Sequence, residues 1–491
     1  MPEGKEASNA IQPTAHRAGF WDAAIAINLF WRLVGFVSLS AHLSLHTQVM
    51  GLFGEGGILP LARRIKALSP SEFPSLFVLL GDASNFTIHT VLFVGEGASL
   101  ALSLGLLPAL SALVAYLAYF SFVSIGWPFL SFQWDALLCE TLLLSGLAAP
   151  FRFWVPLTRP SPTSAVVRFA IVFLCVRLHV ASGLVKILSR DPSWANLTAL
   201  DYHFETQPLP NPISPIVHFL PSWVHKVMTL GVFALEIVLP FLSFFRPLRP
   251  WVGAGIFLLQ GLINLTGNYG FFNLLSAITA LPLLDDQQLQ RLFPRVFLRF
   301  ASPQPLSSRS LSSFFAIFLV LSGGIDFLGT VGIRMPSPLA EAKAWTHRLH
   351  LTSPYGPFAV MTTLRYEIGI EVSQDGKEWK RLDFRYKPDS EDAPLPFLPL
   401  HMPRLDWQMW FAALGEPEDS PWLFILNRRL LEGSESAASL FENPPQPSGF
   451  RLIRAVRERY RFDPRGKRVW VVEDMTPFGP TLGYPMPHHP P

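Results

Sequence analysis

A series of long apolar segments constrains this chain more than any other feature. The first two thirds of the sequence return repeatedly to runs of about 20 predominantly apolar residues, the length with which an α-helix crosses a bilayer. We predict about nine spans, give or take one or two, near residues 21–44, 87–107, 109–130, 135–156, 165–188, 226–245, 251–267, 270–284 and 311–333. Frequent glycine and proline residues near residues 50–85 predict a re-entrant or interfacial segment. Residues 20–334 are therefore expected to form a multipass α-helical membrane bundle.

Composition supports this class and excludes others. Of 491 residues, 50% are hydrophobic and 15% charged, whereas charged residues make up about 25% of an ordinary soluble domain. The net charge of +3 comes without a basic cluster, so no nucleic acid is expected as a partner. The two cysteines, Cys139 and Cys175, fall in apolar runs and cannot build a disulfide framework, and no metal site is predicted. Membrane lipids are the expected surroundings.

A soluble pattern begins after residue 335. Apolar and polar residues alternate on both sides of Asp375-Gly376, a dipeptide typical of tight turns, which predicts a β-hairpin. A second strand pair is expected around a turn at Asp463 to Gly466, and two segments between the pairs have helical spacing. We predict an extracytoplasmic β-sandwich-like domain with inserted helices over residues 335–476. Polar and proline-rich tails, residues 1–19 and 477–491, flank the whole.

Basic residues in the loops predict the orientation. With nine spans, the N-terminus lies on the same side of the membrane as the loops with more basic residues, and this side should be cytoplasmic. The basic residues of these loops are Arg152, Arg159, Arg246, Arg249, Arg291, Arg295, Arg299 and Arg309. The opposite side has fewer basic residues over more chain: Arg63, Arg64, Lys66 and Arg190. The loop at residues 189–224 and the C-terminal domain are therefore expected on the extracytoplasmic side.

Ionisable side chains within the apolar segments carry most of the functional information. Such groups are costly at bilayer depth, face the bundle interior and usually pair; here they are Arg32, Glu96, Asp135, Glu140, Arg168, Arg177, His179, Lys186 and Glu236. In one interpretation they are structural, and Arg32, Arg168, Arg177 and Lys186 neutralise Glu96, Asp135, Glu140 and Glu236. In the other, some of them line a polar cavity that opens to the extracytoplasmic side. Both interpretations stay open at this point.

Lys186 is the sharpest candidate for chemistry. It lies near the end of a predicted span, where its side chain could reach the interface or could be desolvated and serve as a base. In an enzyme, His203 and Glu205 of the following loop would join it as catalytic residues. Together they could converge with Asp135 and Glu140 at the mouth of a cavity.

The aromatic residues of the same loop suggest a second role. Trp194, Tyr202 and Phe204, followed by prolines, could form an exposed platform that holds partly folded protein clients. Alternatively, the rings could cap the helical bundle and pack against the C-terminal domain.

Several segments resemble a known family, the lipase maturation factors: "FLSFQWDALLCETLLL" (129–144), "SGLVKILSRDPSWANLTALDYHFETQPLPNPIS" (182–214), "LEIVLPFL" (235–242), "TGNYGFFNLL" (266–275), "YGPFAVMTTLRYEIGIEVSQDGKEWKRLDFRYKP" (355–388) and "HMPRLDWQMWFAALG" (401–415). The resemblance implies a multipass protein of the endoplasmic reticulum membrane with a lumenal C-terminal domain. It further implies assistance in the folding and assembly of secreted lipases, notably homodimeric lipoprotein lipase, and a link to lumenal redox balance. Without thiols outside the membrane, a redox role would need partner oxidoreductases. The family also occurs in bacteria, where the domain would be periplasmic or extracellular.

A second resemblance is confined to the stretch that begins "SGLVKILSRDPSW". It is similar to the end of a membrane helix in the vitamin K-dependent carboxylase and its relatives, where a lysine deprotonates a hydroquinone. Lys186, Asp191 and Trp194 correspond, with different spacing. This resemblance implies an alternative function, a membrane oxidoreductase or carboxylase-like enzyme with a lipid or quinone in the bundle; no other cofactor is expected. A transporter is a third possibility, although the two halves show no broken-helix repeat.

Overall fold

Helices dominate the first two thirds of the chain and a β-sheet organises the rest. The computed structural model describes residues 23–294, 310–444 and 449–483. The predicted N-terminal tail, residues 1–19, and residues 484–491 of the C-terminal tail lie outside the described residues.

The principal helices of the membrane region are, in chain order, α1 (Ala24–His46), α2 (Asn85–Leu104), α3 (Pro108–Ile125), α4 (Gln133–Ala148), α5 (Ala165–Leu188), α6 (Ala199–Thr206), α7 (Ser222–Phe244), α8 (Arg246–Thr266), α9 (Phe272–Leu283) and α10 (Ser310–Thr330). Shorter helical segments join them: Val49–Phe53, Leu61–Arg64, Leu76–Leu80, Pro192–Ala195, Ser214–His218 and Asp286–Leu292.

Seven of the helices within the described residues are long and apolar enough to cross a membrane: α1, α2, α3, α5, α7, α8 and α10. The predicted spans at 135–156 and 270–284 correspond to the shorter helices α4, of 16 residues, and α9. The membrane helical region is thus confirmed, while a count of nine spans stays a prediction.

Local sequence sets the ends of several of these helices. The Ser84 hydroxyl accepts a hydrogen bond from the amide of Thr87 and caps the start of α2. At the other end of α2, Gly105 adopts φ +78°, a left-handed conformation that stops the helix at little steric cost. Pro108 occupies the first turn of α3, where its missing amide proton is not needed.

The segment between α1 and α2 folds as short helices that pack on the soluble domain. The Ser434 hydroxyl donates a hydrogen bond to the Gly56 carbonyl at 2.5 Å. Gly51 approaches Leu440 so closely that a Cβ would lie 2.5 Å from the Leu440 Cγ. Since the helices at Val49–Phe53 and Leu76–Leu80 have five residues each, they are too short to span a bilayer.

The C-terminal domain contains the helices α11 (Ser337–Arg348), α12 (Arg404–Ala413) and α13 (Pro421–Leu431) and the strands β1 (Arg365–Ser373), β2 (Lys380–Arg381), β3 (Leu452–Phe462), β4 (Trp470–Pro477) and β5 (Leu482–Gly483). The strands form one antiparallel sheet in the order β2-β1-β3-β4, with β5 also pairing with β3. Asp375-Gly376 lies in the turn between β1 and β2, and Asp463 to Gly466 in the turn between β3 and β4, as the sequence predicts.

The predicted β-sandwich is wrong for the described residues, because helices rather than a second sheet cover the buried face. Ile368 and Ile370 of β1 are fully buried and share a core with Met409 of α12 and Leu426 of α13. The two segments that the sequence predicts as inserted helices contain α12 and α13, and these helices form the second layer. The sheet also continues past the predicted boundary at residue 476, since β5 ends at Gly483.

The hydrophobic core runs without a break from the bundle into the soluble domain. The rings of Trp134 at the start of α4 and Trp407 of α12 pack edge to face with centroids 4.7 Å apart. Phe129, just before α4, packs in the same way on Trp422 of α13 at 5.4 Å. The domain is therefore docked directly on the bundle end at which α1, α3 and α5 end and α4 begins.

Candidate functional site

A buried ion pair joins the soluble domain to the bundle. Arg404 of α12 donates to both carboxylate oxygens of Asp135 at 2.7 Å. The Tyr119 hydroxyl donates to Asp135 Oδ1 at 2.7 Å and accepts from Arg404 at 2.9 Å. Asp135 is fully buried and Arg404 is 1% exposed. Asp135 thus takes its cation from the soluble domain, not from the intramembrane arginines that we considered as its partners.

A second ionic cluster lies between α4, α5 and α10. Arg177 forms an ion pair with Glu140 and donates to the Ser353 carbonyl at 3.0 Å. Tyr355 of the soluble part donates to the other Glu140 oxygen at 2.8 Å. Asp326 of α10 extends the cluster and pairs with the side chain of His347 at 2.5 Å.

Arg32, Glu96 and Arg168 each have partners outside these two clusters. Arg32 donates to the carbonyl of Ser103 at 2.9 Å and to the side chain of Asn28 at 2.8 Å. Glu96 lies 2.6 Å from the His46 ring. Arg168 donates to the Pro282 carbonyl at 2.9 Å.

Lys186 and Glu236 form an ion pair inside the bundle. The Lys186 ammonium donates to Glu236 Oε2 at 2.8 Å and to the Ser182 carbonyl at 2.9 Å. It also lies 5.4 Å from the centroid of the Trp194 ring, within cation–π range. Lys186 is 4% exposed and Glu236 7% exposed, so each charge depends on the other for its neutralisation.

The backbone places Glu236 by a local irregularity. Residues Ala234–Val238 of α7 form a π-helical turn, a feature that often occurs at functional sites. Gly183 of α5 faces this turn: a Cβ there would lie 2.4 Å from Ile237 Cγ1 and 3.1 Å from Glu236 Cβ. The glycine therefore allows the close approach that brings Glu236 to Lys186.

A mostly apolar cavity of about 370 Å³ adjoins the ion pair. Leucine, valine and aromatic side chains from α5, α7, α8 and α9 form most of its wall, together with loop residues such as Phe358. Lys186, Glu236, His179 and His203 also line it. Its size lies in the range of about 300–1,000 Å³ that holds small ligands in proteins.

The five residues proposed for an active centre do not converge on this cavity. Lys186 and His203 line it, whereas Glu205, Asp135 and Glu140 are not among its lining residues. Glu205 accepts a hydrogen bond from the amide of Phe462 at 2.8 Å and so anchors the end of β3. The sequence around Glu205 gave no hint of this contact, because Phe462 lies 257 residues away in the chain.

His203 is neutral at physiological pH. Burial, assisted by the positive charge of Lys186, lowers the pKa of His203 to about 4. Its Nε2 lies 3.3 Å from the Tyr269 hydroxyl, which itself donates to Gln207 Oε1 at 2.9 Å. Because the hydroxyl proton is used by Gln207, His203 Nε2 is the donor to the Tyr269 oxygen.

The loop after α5 packs against the rest of the protein and is mostly not exposed at the surface. The expectation of an exposed aromatic platform is wrong for Trp194 and Phe204, which are 4% and 3% exposed, whereas Tyr202 is 37% exposed. The Trp194 indole donates to the Phe358 carbonyl at 3.1 Å. Asp191 accepts from the amide of Met361 at 2.7 Å. The loop thus binds the chain segment that leads into the soluble domain, which agrees with the alternative interpretation.

Sequence reasoning missed several residues of these sites. Arg404 lies in a soluble segment, and its partner in the membrane could not be inferred from spacing. Three uncharged polar residues of the cavity, Gln260, Asn273 and Ser276, also escaped attention because only ionisable groups were sought in the apolar segments. A search for all polar residues in the apolar runs, uncharged as well as charged, could have found them.

These features define the class: a multipass helical membrane protein whose sheet domain is docked on one end of the bundle through buried ion pairs. Residues 25–291 match the family model of the lipase maturation factor transmembrane domain, and residues 351–476 match that of the lipase maturation factor C-terminal domain. The chain belongs to the lipase maturation factor family. No solved structure matches it.

Curated relatives extend the similarity over both domains. The chain is 33% identical to lipase maturation factor 2 of Homo sapiens, with 91% of this chain and 81% of the relative covered. It is 32% identical to lipase maturation factor 2 of Rattus norvegicus, over 92% and 82%. Its identity to lipase maturation factor 1 of Mus musculus is 28%, over 98% and 92%.

Proposed function

We propose that this chain is a membrane-embedded maturation factor that assists the folding and assembly of secreted lipases. The observation that carries the proposal is its similarity to lipase maturation factors over both the membrane region and the soluble domain. Relatives that share only a membrane scaffold would match only the first part. The docked domain supports the same function, since it offers clients a surface held at a fixed position above the bilayer.

The membrane that we propose is that of the endoplasmic reticulum, with the N-terminus cytoplasmic and the C-terminal domain lumenal. Two observations support this orientation. The soluble domain contacts the bundle end at Asp135 and Tyr119. Arg246, from one of the arginine-rich loops, pairs with Asp285 at the start of Asp286–Leu292, on the side where α1 and α8 begin. Arginine-rich loops favour the cytoplasmic side.

Lumenal oxidoreductases are proposed as helpers in any disulfide step. The chain has two cysteines, Cys139 and Cys175, and both are buried free thiols. Thiol–disulfide exchange requires an accessible thiolate, so the maturation factor would hold the client while a partner exchanges its disulfides.

Complementation tests the proposed function. The chain is expressed in cells that lack their own lipase maturation factor, and secreted lipoprotein lipase is measured both as mass and as activity. We expect the activity per unit of lipase to recover to most of its normal value. Secreted lipase that stays inactive, although the chain is present in the membrane at normal abundance, would refute the proposal.

A membrane enzyme is the second candidate, favoured by the position of Lys186 on an apolar cavity. The side-chain nitrogen of Lys186 is held by hydrogen bonds to Glu236 at 2.8 Å and to the Ser182 carbonyl at 2.9 Å. The enzyme would therefore have to separate this pair in each turnover. Substitution of both residues by methionine distinguishes the candidates: a maturation factor keeps lipase activity in the complementation assay, whereas an enzyme that uses Lys186 loses it at unchanged protein abundance.

A further inference from the structure

Several residues that line the cavity have polar side-chain atoms with no partner. Gln260 Oε1, both polar side-chain atoms of Asn273 and the Ser276 hydroxyl make no hydrogen bond with any residue that the structure describes. These three residues are 7%, 2% and 0% exposed and all line the cavity. A buried polar group without a partner loses its hydrogen bonds to water and gains none in return, which destabilises the fold. Four such atoms around one cavity indicate a site built for a molecule that completes their hydrogen bonds.

A chain of hydrogen bonds fixes the orientation of Gln260. The carbonyl of Cys175 lies 2.8 Å from His179 Nδ1, and because a carbonyl only accepts, this nitrogen carries the proton. Nε2 of the neutral ring then accepts from Gln260 Nε2 at 3.2 Å. The amide is thereby held with Oε1 as a free acceptor. Asn273 adds a donor and an acceptor, and Ser276 can act as either.

The ion pair lies apart from this polar group. His179, which holds Gln260, precedes Lys186 by seven residues on α5, or about 10 Å along the helix. Since Lys186 and Glu236 already neutralise each other, the cavity has no unpaired charge among its described lining residues. The unpartnered atoms therefore suit a neutral head group that both donates and accepts hydrogen bonds, not an ion.

The rest of the cavity suits an apolar tail. Its wall is mostly apolar, and two of its lining residues, Leu220 and Leu262, are 40% and 47% exposed. The cavity thus opens beside α7 and α8, two helices whose outer faces are largely exposed. A Cβ at Gly231 of α7, which also lines the cavity, would meet no atom within 4 Å. An amphiphile can reach the site from the bilayer through this opening.

We propose that the cavity binds a neutral, hydroxyl-bearing lipid with its head on Gln260, Asn273 and Ser276 and its hydrocarbon tail toward the opening at Leu220 and Leu262. The site is independent of the lipase function and of Lys186 chemistry. A lipid bound here would also stabilise the contact between α5, α7, α8 and α9, which otherwise face one another across the cavity.

Three probes with the same hydrocarbon chain test the head-group requirement. The full-length protein is delipidated in detergent, and its thermal unfolding is followed with monoolein, methyl oleate or oleate. We expect monoolein to raise the midpoint most, because its hydroxyls supply donors and acceptors, whereas methyl oleate only accepts and oleate is charged. A larger shift with oleate than with monoolein would overturn the proposal and indicate an anion that pairs with Lys186.

Substitutions then locate the head group. Asn273→Leu replaces two unpartnered polar atoms by methyl groups with the same branching, so the delipidated variant should unfold at or above the wild-type midpoint but bind monoolein about tenfold more weakly. Ser276→Ala serves as a second variant should Asn273→Leu fold poorly. Asn427→Leu is the matched control, since the Asn427 oxygen is also buried without a partner among the described residues but lies in α13. Unchanged monoolein binding in both cavity variants would overturn the proposal.

Discussion

At the scale of single residues, buried charges in this protein are neutralised across long sequence distances. Lys186 and Glu236 are 50 residues apart, and Arg404 and Asp135 are 269 apart. An isolated charge at these positions would be very costly, whereas a paired and hydrogen-bonded one is tolerated. The intramembrane ionisable groups therefore indicate how distant segments pack together, and their presence alone does not indicate a catalytic role.

Removal of one partner tests this account of Lys186. Lys186→Met leaves Glu236 charged and unpaired, so we expect a loss of about 3–5 kcal/mol in unfolding free energy and low membrane abundance. The double substitution Lys186→Met and Glu236→Met should recover most of this loss, because no uncompensated charge remains. Thermal unfolding of the purified proteins measures both effects. Equal losses in the single and double variants would show that the pair is not what stabilises this region.

Two histidines predict the pH dependence of stability. Burial lowers the pKa of His203 to about 4, and burial with the charges of Arg404 and Arg385 does the same to His401. Both are protonated near pH 6.5 in the unfolded chain. The unfolded state thus binds more protons between pH 6.5 and 4, and stability is full above this window and falls on acidification. Each histidine contributes a slope of up to about 1.4 kcal/mol per pH unit.

Thermal unfolding between pH 7 and pH 5 measures this slope. His401→Asn should flatten it, since an asparagine does not titrate and can still hydrogen-bond the Ser44 hydroxyl that lies 3.0 Å from His401 Nδ1. A steeper slope in the variant would contradict the assignment.

At the scale of elements, the π-helical turn in α7 and Gly183 opposite it together allow the close approach of α5 and α7. Gly183→Ala introduces a Cβ 2.4 Å from Ile237 Cγ1 and 3.1 Å from Glu236 Cβ, so the side chain of Ile237 or the helices α5 and α7 must shift, and we expect the Lys186–Glu236 contact to weaken. We expect a loss of about 1–3 kcal/mol. Gly261→Ala in α8 is the control, because a Cβ there meets no atom within 4 Å and alanine favours the helix. Equal stability of the two variants would show that the close approach at Gly183 is not important for stability.

Docking of the soluble domain depends on helix α12. Arg404→Ala leaves Asp135 buried without its cation, and we expect a loss of about 3–5 kcal/mol with faster proteolysis of the chain between bundle and sheet. The exposed pair of Arg428 and Glu432 provides the comparison, since Arg428→Ala should cost less than about 1 kcal/mol. Limited proteolysis and thermal unfolding distinguish the two. Resistance of the Arg404→Ala protein equal to that of wild type would mean that other contacts hold the domain.

The elements could be predicted where a single periodicity governs them. Apolar length predicts α1 and α5, and alternation with a turn dipeptide predicts the β1–β2 hairpin at Asp375-Gly376. The prediction of a β-sandwich was wrong because a strand pattern shows that one face of a sheet is buried but not what covers that face. Here α12 and α13 cover it. The predicted span at 135–156 ran past the true end of α4 because it passed over Pro150: the helix ends at Ala148, and Ala149 is extended before the proline.

At the scale of the whole molecule, the bundle and the soluble domain are packed together, because two hydrophobic cores each contain residues of both. Tyr355 completes the Glu140 site, and Trp407 completes the core at Trp134. The partners of the candidate site could not be read from the sequence for this reason: Gln260, Asn273 and Phe358 meet only when distant segments pack. Composition and motif order, by contrast, were sufficient to indicate the family, because the segments that carry it are contiguous.

The most direct test of a maturation role is made during lipase synthesis. Lipoprotein lipase is translated into microsomes from cells that lack a lipase maturation factor, with or without this chain inserted at a measured level, and the fraction of new enzyme that becomes active is determined. The account predicts that the active fraction rises with the amount of the chain and falls again in the Arg404→Ala variant. An active fraction that does not change when correctly inserted wild-type chain is present would contradict it.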